Sequence, residues 1–211
     1  MSTPQLLRLA QIAAGALIAS EDKIESLDRA IGDGDHFYNM KRGAETIIRL
    51  AGELGDVPAE AALKAIAMKL MSTIGGASGP LTASFFLGAS KTDGVSGPWS
   101  LPVVARLVGD GVEAIRKRGG ADRGDKTMLD VLMGVADTLK DCVERDIPAS
   151  DALRAVRVAA EEGMESTRNL RATRGRAAFL GERAIGHIDP GAASCCVMTV
   201  AICSALEGEV G

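Results

Sequence analysis

Apolar residues return along this chain at the spacing of an α-helix, and that recurrence limits the folds open to it more than any other feature. Leu63, Ile66, Ala67, Leu70, Met71 and Ile74 fall at i, i+3, i+4, i+7, i+8 and i+11, on one helical face. Val104, Leu107, Val108, Gly111, Val112 and Ile115 repeat the spacing, as do Met128, Val131, Leu132, Val135, Ala136 and Leu139. Weaker stripes cover Leu6 to Leu27, Met40 to Leu54, Leu81 to Ala89, Leu153 to Leu170 and Cys195 to Leu206, so about eight helices are predicted. Pro4, Pro58, Pro80, Pro102 and Pro148 lie near the proposed helix starts, where a missing N–H costs nothing. No run of alternating apolar and β-branched residues predicts a strand.

The packing palette agrees. Apolar residues make up 46% of the chain but aromatics only 3%, so Ala, Leu, Ile, Val and Met must fill the core, as in closely packed helices. The 211 residues fit one domain, and no linker, repeat or low-complexity tract divides them. The expectation is an all-α fold with a single domain over residues 1–211.

Charge and cysteine usage exclude several functions. Asp and Glu outnumber Lys and Arg by 28 to 24, which leaves no excess positive charge for a nucleic-acid backbone. Cys142, Cys195, Cys196 and Cys203 form no C-x-x-C pair and no zinc spacing, a pattern of reduced thiols in a cytoplasmic protein. The uncharged stretch from Pro190 to Leu206 has 17 residues, short for a membrane span, and is expected to be a buried core helix. The apolar run near Leu9 to Ala19 has no basic residue before Arg8 and is interrupted by Gln11, so no signal peptide and no membrane attachment are expected.

Four connections, residues 28–39, 74–80, 118–127 and 172–191, are rich in Gly, Asp, Arg and Ser. Loops held by a rigid scaffold commonly carry function. In the first, Asp28, Asp33 and Asp35 crowd three carboxylates into eight positions, and a hard divalent cation is the direct way to neutralise them. Gly32 and Gly34 let the backbone turn tightly enough to aim them inward. A solvated Asp-Gly turn is the plainer alternative. An EF-hand fails, because counting Asp33 as the first ligand places Phe37 fifth and Ala44 twelfth; a dinucleotide fingerprint fails at Phe37 as well.

The second loop, Gly75-Gly76-Ala77-Ser78-Gly79-Pro80, runs into a helix start, where free N–H groups and the dipole suit a phosphate; an ordinary helix connection would read the same way. In the third, Gly119-Gly120-Ala121-Asp122-Arg123-Gly124-Asp125-Lys126-Thr127 nearly spells a phosphate loop. Asp125 spoils the spacing and a helix precedes it, so that fold is rejected while the loop stays a candidate nucleotide contact. The fourth carries Arg174, Arg176 and Arg183 among glycines, donors suited to phosphoryl oxygens or simply a basic surface loop. His187 and the methionines are assigned no role, and no covalent nucleophile context stands out.

Taken together, Leu27-Asp28-x-x-Ile31-Gly32-Asp33-Gly34-Asp35-His36 with Asn39-Met40, Gly75 to Pro80, Gly124-Asp125-Lys126-Thr127-Met128, Gly175-Arg176-Ala177, Leu180-Gly181-Glu182-Arg183 and Gly186-His187-x-Asp189-Pro190-Gly191 resemble the nucleotide-binding L subunit of bacterial dihydroxyacetone kinases. The resemblance spans nearly the whole chain. It implies an eight-helix antiparallel barrel with an adenine nucleotide, ADP or ATP, and two Mg²⁺ ions held by loops at one end. It implies Asp28, Asp33 and Asp35 as metal ligands, and His36, Phe37, Tyr38, Asn39, Ala77, Ser78, Gly119, Met128, Arg176, Asp189, Pro190 and Gly191 as the nucleotide site. Phe37-Tyr38 departs from the family pattern, where a glycine commonly follows the histidine. That bulk is expected to shift the phosphate loop or to form part of a partner surface.

The activity implied is in-line phosphoryl transfer to a hydroxyl of a small ketose, with Asp28, Asp33 and Asp35 acting through Mg²⁺ and Arg176 stabilising charge. A separate K subunit would hold the substrate covalently through a histidine, since the chain is too short to include that domain. In some systems a phosphotransferase-system protein rephosphorylates the bound ADP. Clustered Asp and Arg also suit a Mg²⁺-dependent nucleotide phosphohydrolase, and the family also suggests a nucleotide-sensing adaptor of a transcription regulator.

Overall fold

The structure, a computed structural model, describes residues 2–210. Nine α-helices appear among them: α1 Thr3–Ala19, α2 Glu21–Ile31, α3 His36–Ala51, α4 Ala59–Thr73, α5 Ser78–Ala89, α6 Leu101–Gly119, α7 Met128–Glu144, α8 Ala149–Ser166 and α9 Pro190–Val210. Two 3₁₀ segments, Thr167–Asn169 and Arg176–Ala184, lie between α8 and α9. No strand occurs among the described residues, and the all-α expectation holds.

The extra helix comes from one break. The stripe from Leu6 to Leu27 is interrupted at Ser20, whose N–H turns back to Leu17 O at 3.1 Å and whose hydroxyl donates to Ala16 O at 2.9 Å. A serine that satisfies local carbonyls offers the backbone an alternative to continuing the helix. The chain therefore bends there, and α2 packs against α3, α9 and the Arg176–Ala184 segment rather than extending α1.

Helix neighbours close a ring. α1 packs on α3, α3 on α4, and each following helix on the next through α8 and α9, which returns to α1. The connections send the chain back and forth, the geometry of an up-and-down helical array. The stripes read from the sequence face inward: Leu63, Ile66, Ala67, Leu70 and Ile74 are buried, whereas Met71, at the stripe's edge, is exposed. Val131, Val135 and Leu139 of α7 join Val156 and Ala160 of α8 and Ala192, Cys195, Cys196 and Cys203 of α9 in one core cluster. Pro58 and Pro148 stand at N-caps and Pro4 and Pro102 within the first two helical positions, as their chemistry requires.

Because the inward faces are rich in alanine, the ring does not fill its centre. An apolar cavity of about 310 Å³ remains, lined by Ala10, Ala13, Met40, Phe86, Met198 and Ile202 among others. This explains the composition of α9, a helix long and apolar enough to cross a membrane. Its sides meet α1, α2, α7 and α8, and Met198, Thr199, Ile202 and Leu206 look into the cavity.

An up-and-down path puts alternate connections at the same end. The loops α2–α3, α4–α5, α6–α7 and α8–α9 share one end, and these are the four loops singled out by composition. The N-termini of α3, α5, α7 and α9 open at that end, so four positive dipole ends share it.

Candidate functional site

The site begins where α2 stops. Asp28, in its last turn, is only 4% exposed, and its Oδ2 accepts the N–H of His36 at 2.9 Å, which fixes the carboxylate under the loop. Gly32 N–H returns to Asp28 O at 2.6 Å, and a Cβ on Gly32 would stand 1.9 Å from Asp28 Oδ1. No other residue fits there. Gly34 then takes φ of 78°, a left-handed turn that glycine adopts without strain. The result brings carboxylate oxygens of Asp28, Asp33 and Asp35 within 4.8 Å of one another. Hard oxygen ligands at this density repel unless a cation sits among them, and they match the chemistry of Mg²⁺. Arg176 reaches in from the α8–α9 loop, with Nε 2.8 Å from Asp33 Oδ2.

The first turn of α3 divides its residues between site and core. The ring of His36 meets Ser194 Oγ through Nε2 at 2.9 Å, and the Ser194 hydroxyl donates to Pro190 O at 2.9 Å. Burial lowers the His36 pKa, opposed by the nearby Asp28 and Asp35 carboxylates, so the neutral ring is favoured. The Phe37 ring is 0% exposed and packs with Ala14, Leu17, Ile24, Met40 and Ala44. It is therefore no partner surface, and only its backbone is left to face a ligand. Tyr38 points outward and donates to Glu25 Oε1 at 3.1 Å. Asn39 is buried against Gly75, which joins the α4–α5 loop to this turn.

The remaining nucleotide-site residues of the sequence reading cluster at helix starts. Ala77 and Ser78 are the N-cap and first residue of α5, and Leu81 of its next turn faces Gly119 at the end of α6. Met128 opens α7 beside Gly191 in the first turn of α9. Asp189 precedes that turn, and its Oδ2 accepts Ala192 N–H at 2.7 Å. Burial pushes the Asp189 carboxyl up to about 7, against the pull of the Ala192 and Gly191 N–H groups and Lys126. In the fourth loop Ala177, Leu180 and Ala184 pack on Ile31, leaving Arg176 exposed and Phe179 at 85% exposure on the rim.

Comparison with known proteins decides the family. Residues 30–204 match the family described as the DAK2 domain. The chain is 38% identical over 181 residues to the PEP-dependent dihydroxyacetone kinase ADP-binding subunit DhaL of Escherichia coli, covering 85% of this chain and 86% of that one. It is 43% identical over 173 residues to the PTS-dependent ADP-binding subunit DhaL of Lactococcus lactis, with 81% of each covered. The chain belongs to the L-subunit family of dihydroxyacetone kinases. The solved dihydroxyacetone kinase of C. freundii, in complex with AMP-PNP and Mg²⁺, superimposes with a TM-score of 0.73 at 26% identity, over 94% of this chain and 33% of that larger one. The relatives are kinases, and the chain is an enzyme of the phosphotransferase class.

Within this L-subunit chain the near-phosphate-loop segment takes an unexpected part. Lys126 is 1% exposed, and its ammonium donates to Thr167 O and, at 2.5 Å, to His187 O. The lysine that resembles a phosphate ligand in sequence faces inward. Asp122 pairs with Arg116 at 2.8 Å and Arg123 with Asp137 at 2.7 Å, so these two charges also have protein partners. Ser194, Thr167, Thr173 and Asp130 organise the site without having been singled out in the sequence. Their signals are lone hydroxyls or a helix-start carboxylate, which become meaningful only once their partners are known.

Proposed function

We propose that this chain is the nucleotide-holding subunit of a dihydroxyacetone-type kinase, carrying an adenine nucleotide and Mg²⁺ and passing a phosphoryl group to a small ketose on a separate K-type subunit. The observation that carries this reading is the meeting of Asp28, Asp33 and Asp35 with Arg176 at the end where four helix N-termini open. Two ions and a site formed by His36 to Asn39, Ala77, Ser78, Gly119, Met128, Arg176 and Asp189 to Gly191 are part of the proposal, as is action of residues 1–211 as one cytoplasmic unit.

The residues fit the metal. Asp28 is aimed by the His36 N–H and by the close approach of Gly32, while Asp33 and Asp35 are open to solvent. Bound there, Mg²⁺ would supply charge neutralisation on the phosphate oxygens. The chain's own groups do the rest. Backbone N–H groups at the start of α5 receive phosphate oxygens, those at the start of α9 being held by Asp189, and Met128 offers an apolar contact for the base. Arg176 stabilises the charge that spreads over the transferred group. Phe179 and the exposed rim meet the K-type subunit, and the docked surfaces exclude water. The phosphoenolpyruvate- and phosphotransferase-dependent names of two relatives support a mode in which ADP stays bound and is rephosphorylated.

The test is native mass spectrometry of the freshly purified chain, followed by a coupled assay. ADP with two Mg²⁺ is expected to co-purify, and dihydroxyacetone phosphorylation is expected only after a K-type subunit and a phosphoryl donor, either ATP or a phosphorylated phosphotransferase-system protein, are added. Absence of any nucleotide binding by calorimetry, or ketose phosphorylation by the chain alone, would overturn the reading.

A further inference from the structure

Asp125 breaks the phosphate-loop pattern before Lys126, and neither is among the proposed nucleotide contacts, yet both make long-range contacts with the loop that carries Arg176. Lys126 Nζ joins the two ends of that loop by donating to Thr167 O and His187 O. At the same neck Gly186 N–H reaches Arg168 O at 2.8 Å, and Arg168 Nη1 reaches Gly186 O at 3.2 Å. Asp125 holds the loop further along: its Oδ1 accepts the Thr173 hydroxyl, and its carbonyl accepts Thr173 N–H at 3.2 Å. Three residues later comes Arg176.

The holding segment is itself fixed. Asp130, in the first turn of α7, accepts Gly124 N–H at 2.6 Å through Oδ1 and Thr127 N–H at 2.7 Å through Oδ2. Asp125 Oδ2 accepts Asp122 N–H at 2.7 Å. Lys126 has φ of 60°, a left-handed conformation that a lysine keeps only when its surroundings over-determine it. Burying an ammonium also carries a desolvation cost, so both features indicate a position set by its contacts. A continuous path of hydrogen bonds thus leads from α7 through Asp130, residues 124–127 and Thr173 to the neighbourhood of Arg176.

We propose that Asp125 and Lys126 are positioning residues: Lys126 clamps the neck of the 167–189 loop and Asp125 holds Thr173, and together they set where the Arg176 guanidinium stands over the carboxylate cluster. The proposal rests on the reading of Arg176 as the group that meets the transferred charge. It assigns the altered phosphate-loop motif a mechanical role in which the lysine addresses backbone carbonyls in place of a nucleotide. Asp125, the residue that spoils the motif, is then the one that reaches the arginine loop.

The test uses the complete chain and the variants Thr173→Val, Thr173→Ser and Lys126→Met. Hydrogen exchange of the ligand-free protein is read first. Thr173→Val should raise exchange in residues 170–178 by about tenfold while leaving α4 to α6 unchanged. With a K-type subunit and a phosphoryl donor it should lower kcat by roughly tenfold, with the KM for that donor and Mg²⁺·ADP affinity held within about threefold, because the arginine is misplaced and the binding groups are not. Thr173→Ser keeps the hydroxyl and should restore both readouts. Lys126→Met should raise exchange at both 167–170 and 185–189; if that variant does not fold, the threonine pair still decides. Parent-like exchange and turnover in Thr173→Val, or failure of Thr173→Ser to recover, would overturn the proposal. If the parent itself binds no nucleotide and phosphorylates nothing, the kinase reading fails separately, while the exchange comparison still judges the clamp.

Discussion

The α2–α3 and α6–α7 loops are alike in composition and opposite in use. Both set aspartates among glycines, and both lie at the same end of the helical ring. In the first, three carboxylates converge within 4.8 Å and are met by one exposed arginine. In the second, Asp122, Asp125 and Asp130 accept backbone N–H groups, Asp122 also meets Arg116, and Lys126 is buried on carbonyls. A charged loop whose groups answer one another is structural; one whose like charges face each other is the candidate for holding a cation. The partner inventory separates the two, and charge density does not.

The comparison breaks most sharply at the carboxylate cluster. Asp33→Asn and Asp35→Asn should each reduce Mg²⁺-dependent nucleotide affinity on the order of 100-fold or more, since a ligand is lost and not merely its support. The ligand-free melting temperature should stay level or rise as like-charge repulsion falls. Calorimetry and a thermal melt check both parts; unchanged affinity would mean that the cluster holds no metal. Asp130→Ala is the counterpart in the structural loop. Losing a cap to two N–H groups should cost about 1–3 kcal/mol. The melt should then fall by roughly 2–4 °C per kcal/mol, with or without nucleotide.

A smaller effect is expected from pH. The Asp189 carboxyl is pushed from 3.8 up to about 7, so between those values the folded state holds a proton that the unfolded chain has released. Stability from this group therefore declines as pH rises through that window. His36 acts oppositely: its pKa lies below 6.5, so acidification costs stability as the unfolded chain takes up a proton first. Melting curves of the parent and Asp189→Asn should show the parent's advantage shrinking from pH 4 to pH 7. A constant difference would mean that Asp189 stays ionised throughout. Least affected should be Arg123→Ala, which removes an exposed pair with Asp137 and should shift stability by no more than about 0.5 kcal/mol in a denaturant titration.

Much of the fold was legible because helical periodicity is a local signal. The stripes at 63–74 and 128–139 are borne by α4 and α7, and the prolines sit at helix starts. The bend at Ser20 was missed, because a serine within an apolar stripe looks the same whether or not its hydroxyl bonds the preceding turn. The carboxylate cluster was legible through the spacing of Asp28, Asp33 and Asp35. Phe37 was not: adjacent to His36 in sequence, it points the other way from the first turn of α3, into the core against Leu17 and Ile24.

The amino-acid order alone determined the helices, the four loops rich in polar residues and the family to which they belong, since each rests on residues near one another in the chain. The tertiary structure decided which charges remain open. Lys126 meets carbonyls 41 and 61 residues away, His36 meets Ser194 across 158 residues, and Arg176 reaches Asp33 from the far end of the ring's path. A side chain's chemistry depends on what neutralises or accepts it, and in a closed ring of helices those partners come from the opposite end of the sequence.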